Sequence, residues 1–141
     1  MKHAKWAVVA MLVVFSAMAV AQLRSNSTIV AEVPFEFVAA NRIVPAGECK
    51  VQTTAVDGKT LIIRNVGAKT SLFASSSRTE ERQTASNYAL IFNRYGDQYF
   101  LVGVKVEGSN IVYRLPESRA EMELRAQNTP STEQTLLAKL K

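Results

Sequence analysis

The sequence predicts an all-β domain, a single small antiparallel sandwich or barrel of about seven strands with a short C-terminal helix. Three observations carry this. Runs rich in Val, Ile, Phe, Tyr and Thr recur at intervals of about a dozen residues, the spacing of short strands in a sandwich or barrel. Turn residues separate them, notably Pro45-Ala46-Gly47, Asp57-Gly58, Gly96-Asp97 and Gly108-Ser109. Past Pro116 the two-residue alternation stops and a helix-start signal replaces it.

The longest β-forming run, residues 88–106, reads as a hairpin at the middle of the sheet, broken once at Gly96-Asp97. Its second arm separates Phe100, Val102, Val104 and Val106 from Tyr99, Leu101, Gly103 and Lys105. Leu90, Ile91 and Phe92 in succession make the first arm apolar on both faces, as in a strand covered on both sides. A two-residue turn at Gly96-Asp97 and a three-residue turn with Gly96 left-handed both fit. They differ by one residue in pairing, which exchanges the faces.

Residues 1–21 carry a basic start (Lys2, His3, Lys5), an apolar run and the small-x-small triplet Ala19-Val20-Ala21. This is the pattern of a cleaved secretory leader, and its apolar run is short of the ~20 residues that span a bilayer. Export to the periplasm or beyond the cell is therefore expected, with membrane contact only through the leader. Cleavage would remove Lys2 and Lys5, leaving 15 basic against 12 acidic residues, a net +3. So small an excess argues against nucleic acid as a partner.

In order along the chain, residues 22–28 are polar, and 29–37 alternate with Phe35 and Phe37 inward. Pro34 cannot donate to a ladder, which assigns that strand to an edge. The Pro45-Ala46-Gly47 turn leads into a strand placing Cys49, Val51 and Thr53 on one face. Asp57-Gly58 then introduces Thr60-Leu61-Ile62-Ile63-Arg64, and a weaker strand surrounds Leu72 and Phe73. The polar stretch 75–87 reads as a mobile loop or an exposed extension of the strands beside it, and its Ser/Thr/Glu/Arg mixture favours the loop. Ile111, Tyr113 and Leu115 share a face of the last strand. Ser118 with Glu121 forms a capping-box pattern, Glu121 and Arg125 an i, i+4 pair, and Met122 is the expected contact of this helix with the sheet. The β-domain with its helix covers residues 22–127. Residues 128–141 read as a flexible or marginally helical tail with Leu136, Leu137 and Leu140 on one face.

Val33-Pro34-Phe35-x-Phe37, Val44-Pro45-Ala46-Gly47, Arg94-Tyr95-Gly96-Asp97-x-Tyr99-Phe100-Leu101 and Leu115-Pro116-x-Ser118 follow the leader in that order. The order resembles a group of short secreted bacterial proteins of unknown function. The resemblance implies a small exported β-domain and no particular activity. Val44 stands where the group tends to have Leu, and Cys49 where it tends to have an aromatic residue.

Composition excludes several chemistries. The only histidine, His3, and the only tryptophan, Trp6, lie in the leader. Residues 22–141 thus lack the base of Ser-His-Asp and Cys-His systems and the commonest zinc and copper ligand. No nucleotide-binding glycine motif and no calcium loop occurs, so no cofactor, no metal and no catalytic residue is assigned. Carboxylates offer the remaining enzymatic route, glycan hydrolysis by two acids, with Glu32, Glu36, Asp57 and Asp97 as candidates. All four fit ordinary surface and turn positions better. The single Cys49 excludes an internal disulfide, leaving a buried thiol or an intermolecular bond.

The hairpin tip collects Arg94, Tyr95, Asp97 and Tyr99, residue types that hold peptides or sugars, and these are the candidate contacts. The expected function is a non-enzymatic structural or interaction role in the cell envelope, with an envelope protein or a glycan as partner. A carboxylate-dependent glycan hydrolase or a carbohydrate-binding module is the alternative.

Overall fold

The computed structural model describes residues 28–53 and 59–141. The leader, the 22–27 stretch and the Asp57-Gly58 turn lie outside the described residues. Eleven strands and one helix follow in order: β1 (Thr28–Val33), β2 (Phe37–Ala39), β3 (Arg42–Val44), β4 (Gly47–Thr53), β5 (Thr60–Asn65), β6 (Thr70–Ser75), β7 (Ser77–Glu80), β8 (Tyr88–Tyr95), β9 (Gln98–Lys105), β10 (Ile111–Arg114), α1 (Arg119–Ala126) and β11 (Thr132–Leu140). The fold is all-β with a short C-terminal helix. Its strands form a mixed, barrel-like sheet that is nearly closed.

The ring turns at two corners. From Thr132 to Ala138, β11 pairs with β8, and then Lys139 and Leu140 pair with β1. On the opposite side Ser76 alone separates β6, which pairs with β5, from β7, which pairs with β10. The ring thus runs β1, β4, β5, β6, across Ser76 to β7, then β10, β9, β8 and β11. The β2–β3 hairpin joins its side through one parallel bridge, Val38 to Phe100.

Inward positions alternate as strand geometry requires: Ile29, Ala31 and Val33 on β1, Cys49 and Val51 on β4, Leu61 and Ile63 on β5, Leu72 and Ala74 on β6. Phe37 and Phe92, both fully buried, meet edge to face at 5.2 Å in this core. Each such side chain contributes about 1.5–3 kcal/mol through burial.

The central hairpin closes with the two-residue turn, pairing Tyr95 with Gln98 and placing Gly96 at φ +61°. A bulge opposite Ile91 and Phe92 leaves Val102 between the partners Gly103 and Leu101. It breaks the predicted alternation of the second arm. Leu101 and Val104 both face the core, while Phe100 and Gly103 face outward under other cover.

Several expectations are corrected. Strand β1 is not an edge, because it lies between β4 and β11 and Pro34 falls just beyond its end. Residues 77–80 of the polar stretch form a strand, since the exposed Ser77–Glu80 segment pairs fully with β10. The tail is neither flexible nor helical over 132–140. Seven of its residues pair with β8, because the open side of that doubly buried strand demands a partner.

The helix, Arg119–Ala126, starts right after Ser118 as the start signal predicts but is capped differently. Ser118 makes no side-chain cap; Asn41 Oδ1 in the β2–β3 turn accepts the Arg119 N–H at 2.8 Å. Met122 is half exposed, and Glu121 is the buried helical residue. Arg125 pairs with Glu117, not with Glu121.

Candidate functional site

The hairpin turn divides the four tip residues between two surfaces. Phe35, following β1, stacks on Tyr99 with centroids 3.7 Å apart and planes 13° apart, and meets Phe92 edge-on at 5.0 Å. The Arg94 guanidinium lies 5.5 Å from the centre of the Tyr99 ring, and its Nε donates to the Gly96 carbonyl at 2.7 Å. The tip therefore binds itself. Tyr95 points to the other face, buried edge-to-face against Phe100 at 5.6 Å. Asp97 stays exposed, lining with Glu36, Val38, Ile43 and Tyr99 a groove of about 290 Å³.

Of the other candidate acids, Glu36 shares this groove with Asp97. Glu32 lies on β1 directly opposite Glu48 of β4, away from Glu36 and Asp97, and Asp57 is outside the described residues. Cys49, fully buried between Ala31 and Asn65, has its thiol pushed up to about 11 by burial, with the Glu32 and Glu48 carboxylates adding to the effect. Such a thiol packs as a small hydrophobe and does not react. The Pro45-Ala46-Gly47 turn is held by Asn65, whose Nδ2 donates to the Pro45 carbonyl at 2.7 Å and whose Oδ1 accepts the Ala68 N–H at 2.8 Å.

Sequence reasoning missed a cleft between α1 and the outward face of β8 and β9. About 300 Å³ in volume, it is lined by Asn93, Tyr95 and Val102 of the sheet, Leu115 and Glu117 before the helix, and Glu121 and Arg125 on it, together with Arg114, Ser131 and Glu133. Glu121 is 3% exposed, and Asn93 Nδ2 reaches its Oε1 at only 3.5 Å, the weak limit of a hydrogen bond. Its Oε2 is buried with no partner, as is Oε1 of Glu117. Burial holds the Glu121 carboxyl above its ordinary range against the Asn93 bond, and the Glu117 charge adds to the effect. Burial and the Glu121 charge likewise raise Tyr95, whose phenol hydrogen-bonds Ser131. Arg125 Nη1 holds Glu117 Oε2 at 2.8 Å, and Arg114 is engaged by Glu81 at 3.3 Å. The signal in the sequence was the four-residue spacing of Glu117, Glu121 and Arg125 across the start of the helix.

The mouth of the barrel is smaller. Ile29, Val51, Thr53, Tyr88, Val104, Val106 and Tyr113 surround about 180 Å³ there, below the ~300 Å³ at which ligand pockets begin. Among the described residues no group of three or more His, Cys, Asp or Glu is placed to hold a metal ion, and no helix is long and apolar enough to cross a membrane.

Three strands have one side unpaired by any described strand: β3, β6 and β7. The short β3 carries Arg42, and β7 carries Arg78 and Glu80. Such features keep sheet edges from pairing with other chains. Strand β6, Thr-Ser-Leu-Phe-Ala-Ser, has six residues and no charge or proline, and Phe73 stands 70% exposed on it. Outward on the same face lie its neighbour Ile62 and the cations Lys50, Arg64 and Lys141, which with Thr28 and Gln52 line a hollow of about 180 Å³.

Comparison of the chain with protein-family models, characterised proteins and solved structures finds no match.

Proposed function

We propose that the protein is an exported, non-enzymatic interaction module of the cell envelope, working in the periplasm or outside the cell, and that it holds an envelope protein by strand addition at β6. The leader pattern of residues 1–21 supports export, as does the resemblance to short secreted bacterial proteins.

One observation carries the interaction reading. Of the three strand edges unpaired among the described residues, β6 alone lacks both charge and shortness, and it presents Phe73 to solvent. An edge of this kind is a template for another strand, with main-chain bonds supplying affinity and alternate side chains supplying specificity. The adjoining cations Lys50, Arg64 and Lys141 select a partner strand bordered by acidic residues.

The test is a crosslinking pull-down of the protein exported in its native host, with Phe73→Lys as the comparison. A lysine at an exposed edge blocks strand pairing without disturbing the barrel. Recovery of a protein partner by the wild type and its loss in the variant is expected. Equal recovery by both would remove β6 as the contact.

A further inference from the structure

Strand addition at β6 makes no use of the cleft under α1. Its polar atoms are unevenly satisfied. Arg125 occupies one oxygen of Glu117, Arg114 is taken by Glu81, and Asn93 reaches one oxygen of Glu121 weakly. Two carboxylate oxygens remain buried without partners: Glu117 Oε1 and Glu121 Oε2. Leaving an ionised acceptor unmade in the interior costs more than leaving a neutral one, so the cleft is built for a group that donates.

The arrangement narrows the chemistry of that group. Three carboxylates (Glu117, Glu121, Glu133) face two guanidiniums (Arg114, Arg125), one of which is held by a fourth acid outside the cleft. The excess charge is negative, so a cation is favoured. A guanidinium fork matches both oxygens of one carboxylate, but here each acid has one oxygen unpartnered, Glu117 just before α1 and Glu121 on it. A compact ammonium with three rotatable donors fits that pair better. Val102 and Leu115 provide an apolar wall for a carbon stem, and the buried Tyr95 ring adds a surface that favours cations. The volume, about 300 Å³, is at the lower limit of ligand pockets. It suits one alkylamine or one side chain and is too small for an extended glycan.

We infer that the cleft between α1 and the β8–β9 face is a binding site for a primary alkylammonium group, held by Glu117 and Glu121 with its carbon chain against Val102 and Leu115. The group belongs either to a small free amine or to a lysine side chain of a peptide.

Binding should tighten as pH rises, because Glu121 must ionise to hold the cation and burial favours its neutral form. The charged and titratable groups facing it are Glu117 and Arg125 along the helix side, Tyr95 from β8, Arg114 from β10 and Glu133 from β11.

The experiment is an NMR titration of the folded protein, following the Glu side-chain carboxyl resonances, with four probes: n-butylammonium, tetramethylammonium, Nα-acetyl-lysine amide in a short peptide, and calcium. Saturable shifts of Glu117 and Glu121 with n-butylammonium are expected, with tetramethylammonium, which lacks N–H donors, weaker by about tenfold or more. Tighter binding of the lysine peptide than of butylammonium assigns the source to a protein side chain, and the reverse assigns it to a free amine. Glu121→Gln, which keeps shape and removes charge, should weaken binding about tenfold, and Glu117→Gln should do so independently. The inference is overturned if butylammonium gives no saturable shift, if tetramethylammonium binds equally well, if calcium alone binds, or if both variants bind as the wild type does. None of these outcomes bears on strand addition at β6.

Discussion

Phe35 lies flat on Tyr99, with ring centroids 3.7 Å apart. One ring belongs to Val33-Pro34-Phe35-x-Phe37 and the other to the central hairpin, so two stretches over sixty residues apart in sequence are joined by one contact. Phe35 and Phe37 also both meet Phe92 edge-on. Phe35, Phe37, Phe92 and Tyr99 thus form an internal clasp.

A double-mutant cycle measures that clasp. Phe35→Leu and Tyr99→Leu are each expected to destabilise the fold, and their coupling should be about 0.5–1.5 kcal/mol in urea unfolding. Additive losses would mean that the stack contributes nothing beyond burial.

Glu121 should weaken the fold at neutral pH. Its carboxyl is held above the ordinary 4.5, chiefly by burial. The stability of the neutral acid is fully present below 4.5 and is lost as pH rises through the raised value. Glu121→Gln, neutral throughout, is expected to be more stable than wild type at pH 7 by about 1 kcal/mol. The difference should shrink toward pH 4. A variant less stable at pH 7 would show that the ionised carboxylate has partners in the fold.

Cys49 should resist thiol reagents in the folded protein at pH 8 and react on unfolding. Its neutral form stabilises the fold fully below the ordinary 9.0, and that contribution falls as pH rises through about 11. The loss amounts to roughly 2–3 kcal/mol when complete. Tyrosines and lysines titrate in the same window, so Cys49→Ala is the comparison: its stability should fall less between pH 9 and 11. Equal slopes would show that the thiol does not take part.

Asn65 is the clamp of the Pro45-Ala46-Gly47 turn. Asn65→Ala removes the bonds to the Pro45 carbonyl and the Ala68 N–H and should cost about 2–3 kcal/mol in thermal or urea unfolding. Asn65→Asp keeps the Ala68 bond alone and should fall between the two proteins.

The strands that alternate cleanly or follow a strong turn signal could be read from the sequence. Gly96-Asp97 located the central hairpin, and Ile29, Ala31 and Val33 identified the inward face of β1. Strand β11 could not be read that way, because Leu136, Leu137, Ala138 and Lys139 favour helix locally, and only pairing with the open side of β8 and then with β1 makes them extended. The bulge at Val102 was invisible for a related reason: every residue from Phe100 to Val104 suits either face. Tyr95 and Tyr99 sat together on the tip in sequence, yet pleating sends them to opposite sides of the sheet. The cleft was hidden by a rule that usually holds, that a helical Glu is exposed and Met faces the core. The residues three and four positions from Met122 are Ser118, Arg119, Arg125 and Ala126. That setting offers no apolar stripe of large side chains for the helix to bury.

Site-specific photocrosslinking in the native host tests the proposed function most directly. A photoreactive residue is placed at Ser71, exposed on the free edge strand β6, and in a parallel strain at Asp97 on the hairpin tip. An adduct with one envelope protein from Ser71, absent from Asp97, is the predicted result. An adduct from Asp97 with none from Ser71 would contradict strand addition at β6 and return the contact to the tip.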